Sequence, residues 1–207
     1  GIGATAKLTL QCVPNSYTAI ERDEVAARQV RSLLGAPQHR CVVGNAQTTG
    51  LPAQSVSVVY GEAMLTMQPP ATKDQIVGEA ARLLRSGGRY GIHELVLVPD
   101  DLAEPLRSEI ARAFGQTIHH LVQPLTVAEW RVLLEQHAMD VRTSLTAPMH
   151  LLEPARLVRD EGFFGAARFV LNVIRYPEAK ARVMELRRLF RSYRDHVSAV
   201  ALVAVKR

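Results

Sequence analysis

The chain opens with two closely spaced glycines, Gly1 and Gly3, ahead of a segment with helical character. Glycines in such a turn let the backbone approach a ligand where a side chain would obstruct it. Glu21 ends a short strand-like run, residues 17–21, and Arg22 follows it. A carboxylate at the end of a strand can accept hydrogen bonds from both hydroxyls of a ribose. These residues therefore predict a site for a cofactor that contains a ribose.

The elements that must position these residues alternate between strands and helices. Short β-rich runs are separated by amphipathic helices with short connections, which is typical of a parallel sheet covered on both faces. In the first half we predict helices over residues 4–12, 23–34 and 72–85, and strands over 17–21, 40–44, 55–60 and 89–98. A Ser-Gly-Gly turn at residues 86–88 joins the last helix to the last strand. The pattern predicts an α/β fold of the doubly wound, Rossmann-like type.

The second half of the chain departs from this alternation. We predict helices over residues 100–115 and 126–137, the second of them opened by a capping box, and strands over 139–147 and 197–205. A helical block over residues 153–195 lies between the last two strands and has the character of an insertion. The whole of residues 1–207 is therefore predicted to form one domain that carries this insertion.

The position of the glycine turn indicates that one strand of the sheet precedes residue 1. In a doubly wound sheet a central strand leads into the glycine-rich turn, whereas this sequence opens with the turn at residue 1. Without that strand, its neighbours would have unpaired buried edges. We therefore expect residues that precede Gly1 in the natural protein to supply the strand, together with a helical lid.

The order of these features resembles the class I S-adenosylmethionine-dependent methyltransferases. After the glycine turn and the acidic residue come Gly44-Asn45-Ala46-Gln47, then Gly61-Glu62 after the next strand, then Ser86-Gly87-Gly88. The strands at 139–147 and 197–205 fit the family's closing pair, whose last strand is antiparallel. The resemblance covers residues 1–98 well and the closing strands more loosely. It implies a mostly parallel sheet with an antiparallel last strand.

The resemblance implies S-adenosylmethionine as the cofactor. The residues that it places against this cofactor are Gly1, Gly3, Glu21, Arg22, Asn45, Ala46, Gln47, Gly61 and Glu62. The first two glycines would approach the methionine end, Glu21 the ribose, and residues 45–47 the adenine. Asn45 stands where the family commonly has Asp, so an amide rather than an anion would bind the adenine.

The acceptor of the methyl group would bind beside the fifth strand of the family. The methyl group sits on a sulfonium and is already a strong electrophile, so the enzyme mainly needs to align it with the acceptor. A hydroxyl or phenol acceptor also benefits from a base within about 3 Å, and His93 is the predicted base. Glu94, His119 and His120 are predicted substrate contacts. Adjacent histidines point apart on a regular element, and we predict no metal site.

Composition narrows the class of partner. The formal net charge is +5, and Arg187, Arg191 and Arg194 recur at helical spacing within the insertion. The other face of this helix is apolar, which favours a solvated helix face over a nucleic-acid site. No apolar run approaches the roughly 20 residues of a membrane span. The two cysteines lack metal-type spacing and indicate reduced thiols in a cytoplasmic protein.

We therefore predict a small-molecule substrate, no membrane or nucleic-acid partner, and room for a homodimer interface along residues 163–174. Two other functions stay open at this point. An NAD(P)-dependent oxidoreductase would also use the spacing of Gly1, Gly3 and Ala6, together with Glu21. The Gly-Gly turn and the closing antiparallel strands favour methyl transfer instead. A non-catalytic methyltransferase-like binding module would account for Asn45.

Overall fold

A computed structural model describes residues 3–149, residue 175 and residues 177–207. The helices are α1 Ala4–Gln11, α2 Glu24–Arg31, α3 Pro70–Leu83, α4 Glu104–Ile118, α5 Val127–Gln136 and α6 Pro177–Ser192. The strands are β1 Tyr17–Glu21, β2 His39–Val43, β3 Val56–Glu62, β4 Leu84–Leu97, β5 Leu125–Thr126, β6 Met139–Pro148 and β7 Val197–Lys206. Strands and helices alternate through β4 except between β2 and β3, which a loop connects, as the sequence predicts.

The larger sheet has five strands in the order β3-β4-β7-β6, with β5 paired to β4. Both β3 and β5 run parallel to β4, whereas β7 is inserted antiparallel between β4 and β6. The predicted α/β fold with an antiparallel last strand is therefore confirmed. The register pairs Glu62 at the end of β3 with His93 in the middle of β4, which brings two predicted site residues side by side.

The remaining strands, β1 and β2, form a separate parallel pair. Within the described ranges, β1 pairs only with β2 and β3 only with β4, so each of them has one edge without a strand partner. The two sheets approach each other through Tyr17 and Tyr60, whose hydroxyl oxygens lie 3.0 Å apart. The strand expected to lead into the glycine turn stays a prediction, and Gly1 lies outside the described residues.

The Ser-Gly-Gly segment at residues 86–88, predicted as a turn between α3 and β4, lies inside β4 at an irregularity where the pairing with β3 shifts register. The helix ends at Leu83 rather than at residue 85, because the chain enters β4 directly and pairs Leu84 with Val56. Gly87 has φ 75°, and a Cβ on Gly88 would lie 2.8 Å from the carbonyl oxygen of Arg85. Both conformation and space therefore require glycine here.

Two apolar clusters hold these elements together. The larger lies between the main sheet and helices α3 and α5, and the Nε1 of its buried Trp130 donates to the Leu95 carbonyl at 3.1 Å. The smaller joins α4 to α6, where the rings of Phe114 and Phe190 meet edge to face at 5.1 Å. Both clusters include side chains of β4, so packed helices support the strand that carries His93.

The predicted insertion is described only in part. Its last helix, α6, is present at Pro177–Ser192. The rest of the helical block, and the homodimer surface predicted along residues 163–174, lie outside the described residues. None of the described helices is both long and apolar enough to cross a bilayer.

Candidate active site

The glycine turn at the start of α1 has the backbone geometry that the sequence predicts. Gly3 immediately precedes the helix with φ 86°, and no side chain caps the helix start. A Cβ at this position would lie 2.5 Å from Cδ1 of Leu33, which is too close for any contact. The left-handed conformation favours glycine at this position, and a Cβ would also require the terminal methyl group of Leu33 to move.

The carboxyl ends of β1 and β2 bring the predicted ribose and adenine contacts together. The Gly44 amide donates to the Glu21 carbonyl oxygen at 3.0 Å, which joins the two strand ends. One carboxylate oxygen of Glu21 accepts from the Arg22 amide at 2.9 Å. Beyond Gly44 the chain turns back, with the Thr48 amide donating to the Asn45 carbonyl at 3.2 Å, and the Asn45 side chain is exposed. Residues 21, 22 and 45–47 thus lie at one end of the smaller sheet.

The loop that contains Asn45 is anchored by a buried acid that the sequence analysis missed. Glu79 in α3 accepts from the Thr49 amide at 2.9 Å and from the Thr49 hydroxyl, and Nε of Arg82 donates to it at 2.6 Å. The hydrogen bond from Arg82, assisted by those from Thr49, lowers the pKa of Glu79 to about 2. The signal in the sequence was a glutamate beside the apolar stripe of a predicted helix.

The centre of the site is a cluster of Glu62, His93 and Thr5. Nδ1 of His93 lies 3.5 Å from one carboxylate oxygen of Glu62, and the Thr5 hydroxyl donates to the other. Both side chains are about half exposed, at 55% for His93 and 47% for Glu62, so a ligand can reach them. The cluster joins α1, β3 and β4 at the level of the glycine turn. Thr5 carries no motif that could have identified it from the sequence.

A chain of three hydroxyl groups joins α1 and β3 to β1. Tyr60 of β3 accepts from the Thr9 hydroxyl at 3.0 Å, and its oxygen lies 3.0 Å from that of Tyr17 in β1. Burial, reinforced by the hydrogen bond with Tyr60, raises the pKa of Tyr17 above its ordinary value. Tyr17 therefore remains protonated near neutral pH and serves as a hydrogen-bonding link between β1 and β3.

Two of the predicted substrate contacts are separate from the cluster. His119 ends α4 in a left-handed conformation with φ 55°, and the His120 amide donates to the Gly115 carbonyl at 3.3 Å. Both side chains are exposed, and His120 lines a groove of about 350 Å³ together with Arg112 and Gln123. Within the described ranges, neither histidine bonds to Glu62 or His93. Their contact with a substrate stays a prediction.

Glu94, the third predicted substrate contact, is oriented into the protein. Its side chain is only 3% exposed, and both carboxylate oxygens accept hydrogen bonds from the loop that follows β3. We therefore assign Glu94 to the support of that loop rather than to the substrate. His93 and Glu94 are consecutive residues of one strand, so their side chains point to opposite faces of the sheet. Only one of them can therefore face the ligand.

The arrangement fits a nucleoside cofactor that ends in an amino acid. A Cβ on Gly61 would lie 3.2 Å from the sulfur of Met64, so the absence of a side chain at this position lets Met64 pack against the end of β3. Glu21 and the exposed loop after β2 suit the ribose and base. Among residues 3–149 and 177–207, no three His, Cys, Asp or Glu side chains converge as a metal site would require.

Comparison with known proteins agrees with this fit. Residues 1–92 match the family model of a methyltransferase domain. An uncharacterised protein of Haemophilus influenzae is 25% identical over 188 residues, which is 90% of this chain and 71% of that protein.

Two solved structures show the same fold. A protein from Galdieria sulphuraria, assigned as a sarcosine dimethylglycine methyltransferase, has a TM-score of 0.73 at 14% identity and covers 100% of this chain and 75% of its own. A geranyl diphosphate methyltransferase in complex with S-adenosylmethionine has a TM-score of 0.70 at 13% identity, with the same coverage of 100% and 75%. Identities this low show the fold alone.

The family match over residues 1–92 identifies this part of the chain as a methyltransferase domain. The predicted resemblance to class I methyltransferases is thereby confirmed. The family of this domain also confirms the prediction of a methyltransferase that uses S-adenosylmethionine as its cofactor. The individual site residues are not tested by these comparisons and stay predictions.

Proposed function

We propose that this protein transfers the methyl group of S-adenosylmethionine to a small organic acceptor, with His93 as the general base. When bound, the cofactor supplies an electrophilic methyl group on its sulfonium. The residues proposed to hold it are Gly3, Glu21, Arg22, Asn45, Ala46, Gln47 and Gly61. The acceptor would approach from the exposed side of His93.

The observation that carries this proposal is the contact between His93 and Glu62. With Nδ1 facing a carboxylate oxygen at 3.5 Å, the imidazole is favoured in the tautomer that carries its proton on Nδ1. Nε2 is then free to accept a proton from an acceptor hydroxyl. A separation of 3.5 Å is longer than a good hydrogen bond, and such contacts commonly shorten once a substrate is bound.

The remaining cluster contact fixes Glu62 in the orientation that this role needs. The Thr5 hydroxyl occupies the carboxylate oxygen that does not face His93. Thr5 belongs to the first turn of α1, two residues after Gly3. The position of the proposed base is therefore linked to the glycine turn that would contact the cofactor, which suits the alignment of methyl group and acceptor.

An acceptor screen on the full natural chain tests the proposal. The protein is incubated with S-adenosylmethionine and a panel of small phenols, alcohols, carboxylates, thiols and amines, and S-adenosylhomocysteine is quantified. With a hydroxyl acceptor, we expect His93→Gln to lower kcat by about 100-fold or more, the range of general base catalysis, without a comparable loss of cofactor affinity.

The matched control is His137→Gln. His137 also pairs with a carboxylate, at 2.7 Å from Asp74, but lies at the end of α5. We expect this variant to keep the wild-type kcat. Equal kcat values in His93→Gln and wild type would refute the assignment of His93 as the general base. Cofactor binding without turnover of any acceptor would instead favour a non-catalytic binding module.

A further inference from the structure

A buried glutamate shapes the loop that follows β3. The carboxylate of Glu94 accepts four hydrogen bonds from three consecutive residues of this loop. They come from the amides of Met64 at 2.9 Å, Leu65 at 2.8 Å and Thr66 at 3.0 Å, and from the Thr66 hydroxyl at 2.7 Å. A buried carboxylate is costly unless donors compensate its charge, and here the loop provides all four. Glu94 and the loop therefore require each other.

The same loop contains a strained residue next to the proposed site. Ala63, which directly follows Glu62, has φ 50°, a conformation that a non-glycine residue adopts only when its surroundings impose it. The Ala63 amide donates to the His93 carbonyl at 2.8 Å, and the next amide, that of Met64, is bound by Glu94. The bonds on either side of Ala63 hold the chain in this turn and so fix the direction of Glu62.

The network extends from this loop to the segment after α4. The Thr66 carbonyl accepts from the Gln123 amide at 2.8 Å, and the Gln123 carbonyl accepts from Nζ of Lys73. Lys73 is 2% exposed, and its ammonium lies 5.7 Å from the ring centroid of Trp130 in the core. The segment with His119 and His120 is therefore connected through Gln123 to two buried residues, Thr66 in the loop after β3 and Lys73 in α3.

We propose that Glu94 is a positioning residue of the active site, which fixes the loop after β3 and thereby the placement of Gly61 against the cofactor and of Glu62 against His93. The proposal rests on the function proposed above. Glu94 touches neither substrate nor cofactor and acts through the amides of residues 64–66. Through Thr66 and Gln123 it also sets the separation between this loop and the segment after α4.

The test compares Glu94→Gln with wild type in the full natural chain. Glutamine has the same shape but replaces one acceptor oxygen with an NH₂ donor. The Thr66 hydroxyl can accept from this NH₂ group, which favours placing the NH₂ beside Thr66, where the Thr66 amide loses its acceptor. We expect hydrogen exchange of the Thr66 amide, followed by NMR, to accelerate about 10-fold or more. We also expect the Kd for S-adenosylhomocysteine, measured by calorimetry, to rise about 10-fold.

A milder pair of variants keeps the test valid if Glu94→Gln does not fold. Thr66→Val removes only the hydroxyl donor, and we expect the Kd to rise about 3-fold. Thr66→Ser keeps that hydroxyl and should bind as wild type does. Glu129→Gln is the control for general destabilisation. It removes a carboxylate that caps α5 and pairs with Arg107 at 2.8 Å, and its Kd should stay within about 2-fold of wild type.

The proposal is overturned if Glu94→Gln or, where that variant is unfolded, Thr66→Val binds S-adenosylhomocysteine as tightly as Glu129→Gln. It is also overturned if the Thr66 amide exchanges at the wild-type rate in Glu94→Gln. Failure of the wild-type protein to bind S-adenosylhomocysteine would refute the proposed function instead. Amide exchange would then still decide whether Glu94 anchors the loop.

Discussion

Replacing Lys73 with methionine should change how the stability of the protein depends on pH. Lys73 lies on α3 and is 2% exposed, so its ammonium group has little contact with water. Burial lowers its pKa from 10.5 to about 8, against the opposing effect of Glu94 and then Glu129. Lys73→Met keeps the apolar part of the side chain and removes the group that titrates.

The sign and size of the effect follow from proton linkage. Because the folded pKa is below the unfolded one, the unfolded chain binds more protons between about pH 8 and 10.5, and stability rises with pH across this window. At about 1.4 kcal/mol per pKa unit, the full contribution is about 3 kcal/mol. Between about pH 7.5 and pH 10 the wild-type protein should gain about 2 kcal/mol relative to Lys73→Met.

The assay is urea unfolding of both proteins at these two pH values. The quantity of interest is the change with pH in the difference between their free energies of unfolding. Subtraction cancels the titration of Tyr17 and Cys41, whose pKa values burial raises and which act in the opposite direction. A difference that stays constant from about pH 7.5 to 10 would refute the account of Lys73 as a buried, protonated amine that binds the Gln123 carbonyl.

Three further predictions concern the supports of the site. Gly3→Ala should lower the free energy of unfolding by about 1–3 kcal/mol because φ is 86°, whereas Gly35→Ala, with no atom within 4 Å of the new Cβ, should be nearly neutral in thermal unfolding. Glu79 has its pKa lowered to about 2, so its stabilisation is present above about pH 4.5 and disappears as the pH falls towards 2. The free energies of unfolding of wild type and Glu79→Gln should therefore converge as the pH falls. A difference between the two free energies that stays constant with pH would contradict this. Thr126→Ala should lose about 1 kcal/mol in urea unfolding through its capping box, and an unchanged midpoint would show that the cap contributes nothing.

The order of the elements could be predicted because it depends on local pattern. Apolar periodicity and the glycines located every strand of three or more residues, and the predicted capping box at Thr126 is present. The start of α4 was placed too early. The acidic residues after Pro99 suggested a helix start at residue 100, whereas the helix begins at Glu104 with a proline in its first turn. The two-residue strand β5 is too short to produce a pattern.

The hydrogen bonds that support the site could not be predicted, because they join segments that are far apart in the sequence. Glu94 bonds residues 28 to 30 positions away, and Thr5 bonds Glu62 across 57 positions. Nothing in the sequence distinguishes an acid that faces a ligand from one that faces a loop. Consecutive residues of a strand face opposite ways, but the sequence analysis assigned both His93 and Glu94 to the ligand, and burial shows that only His93 is exposed.

The most direct test of the central claim is calorimetric titration of the full natural chain with S-adenosylhomocysteine and, separately, with NADH. We expect micromolar binding of S-adenosylhomocysteine, about −8 kcal/mol, that is lost in Glu21→Ala, and no binding of NADH. Binding of NADH alone would contradict the methyltransferase account and favour an oxidoreductase.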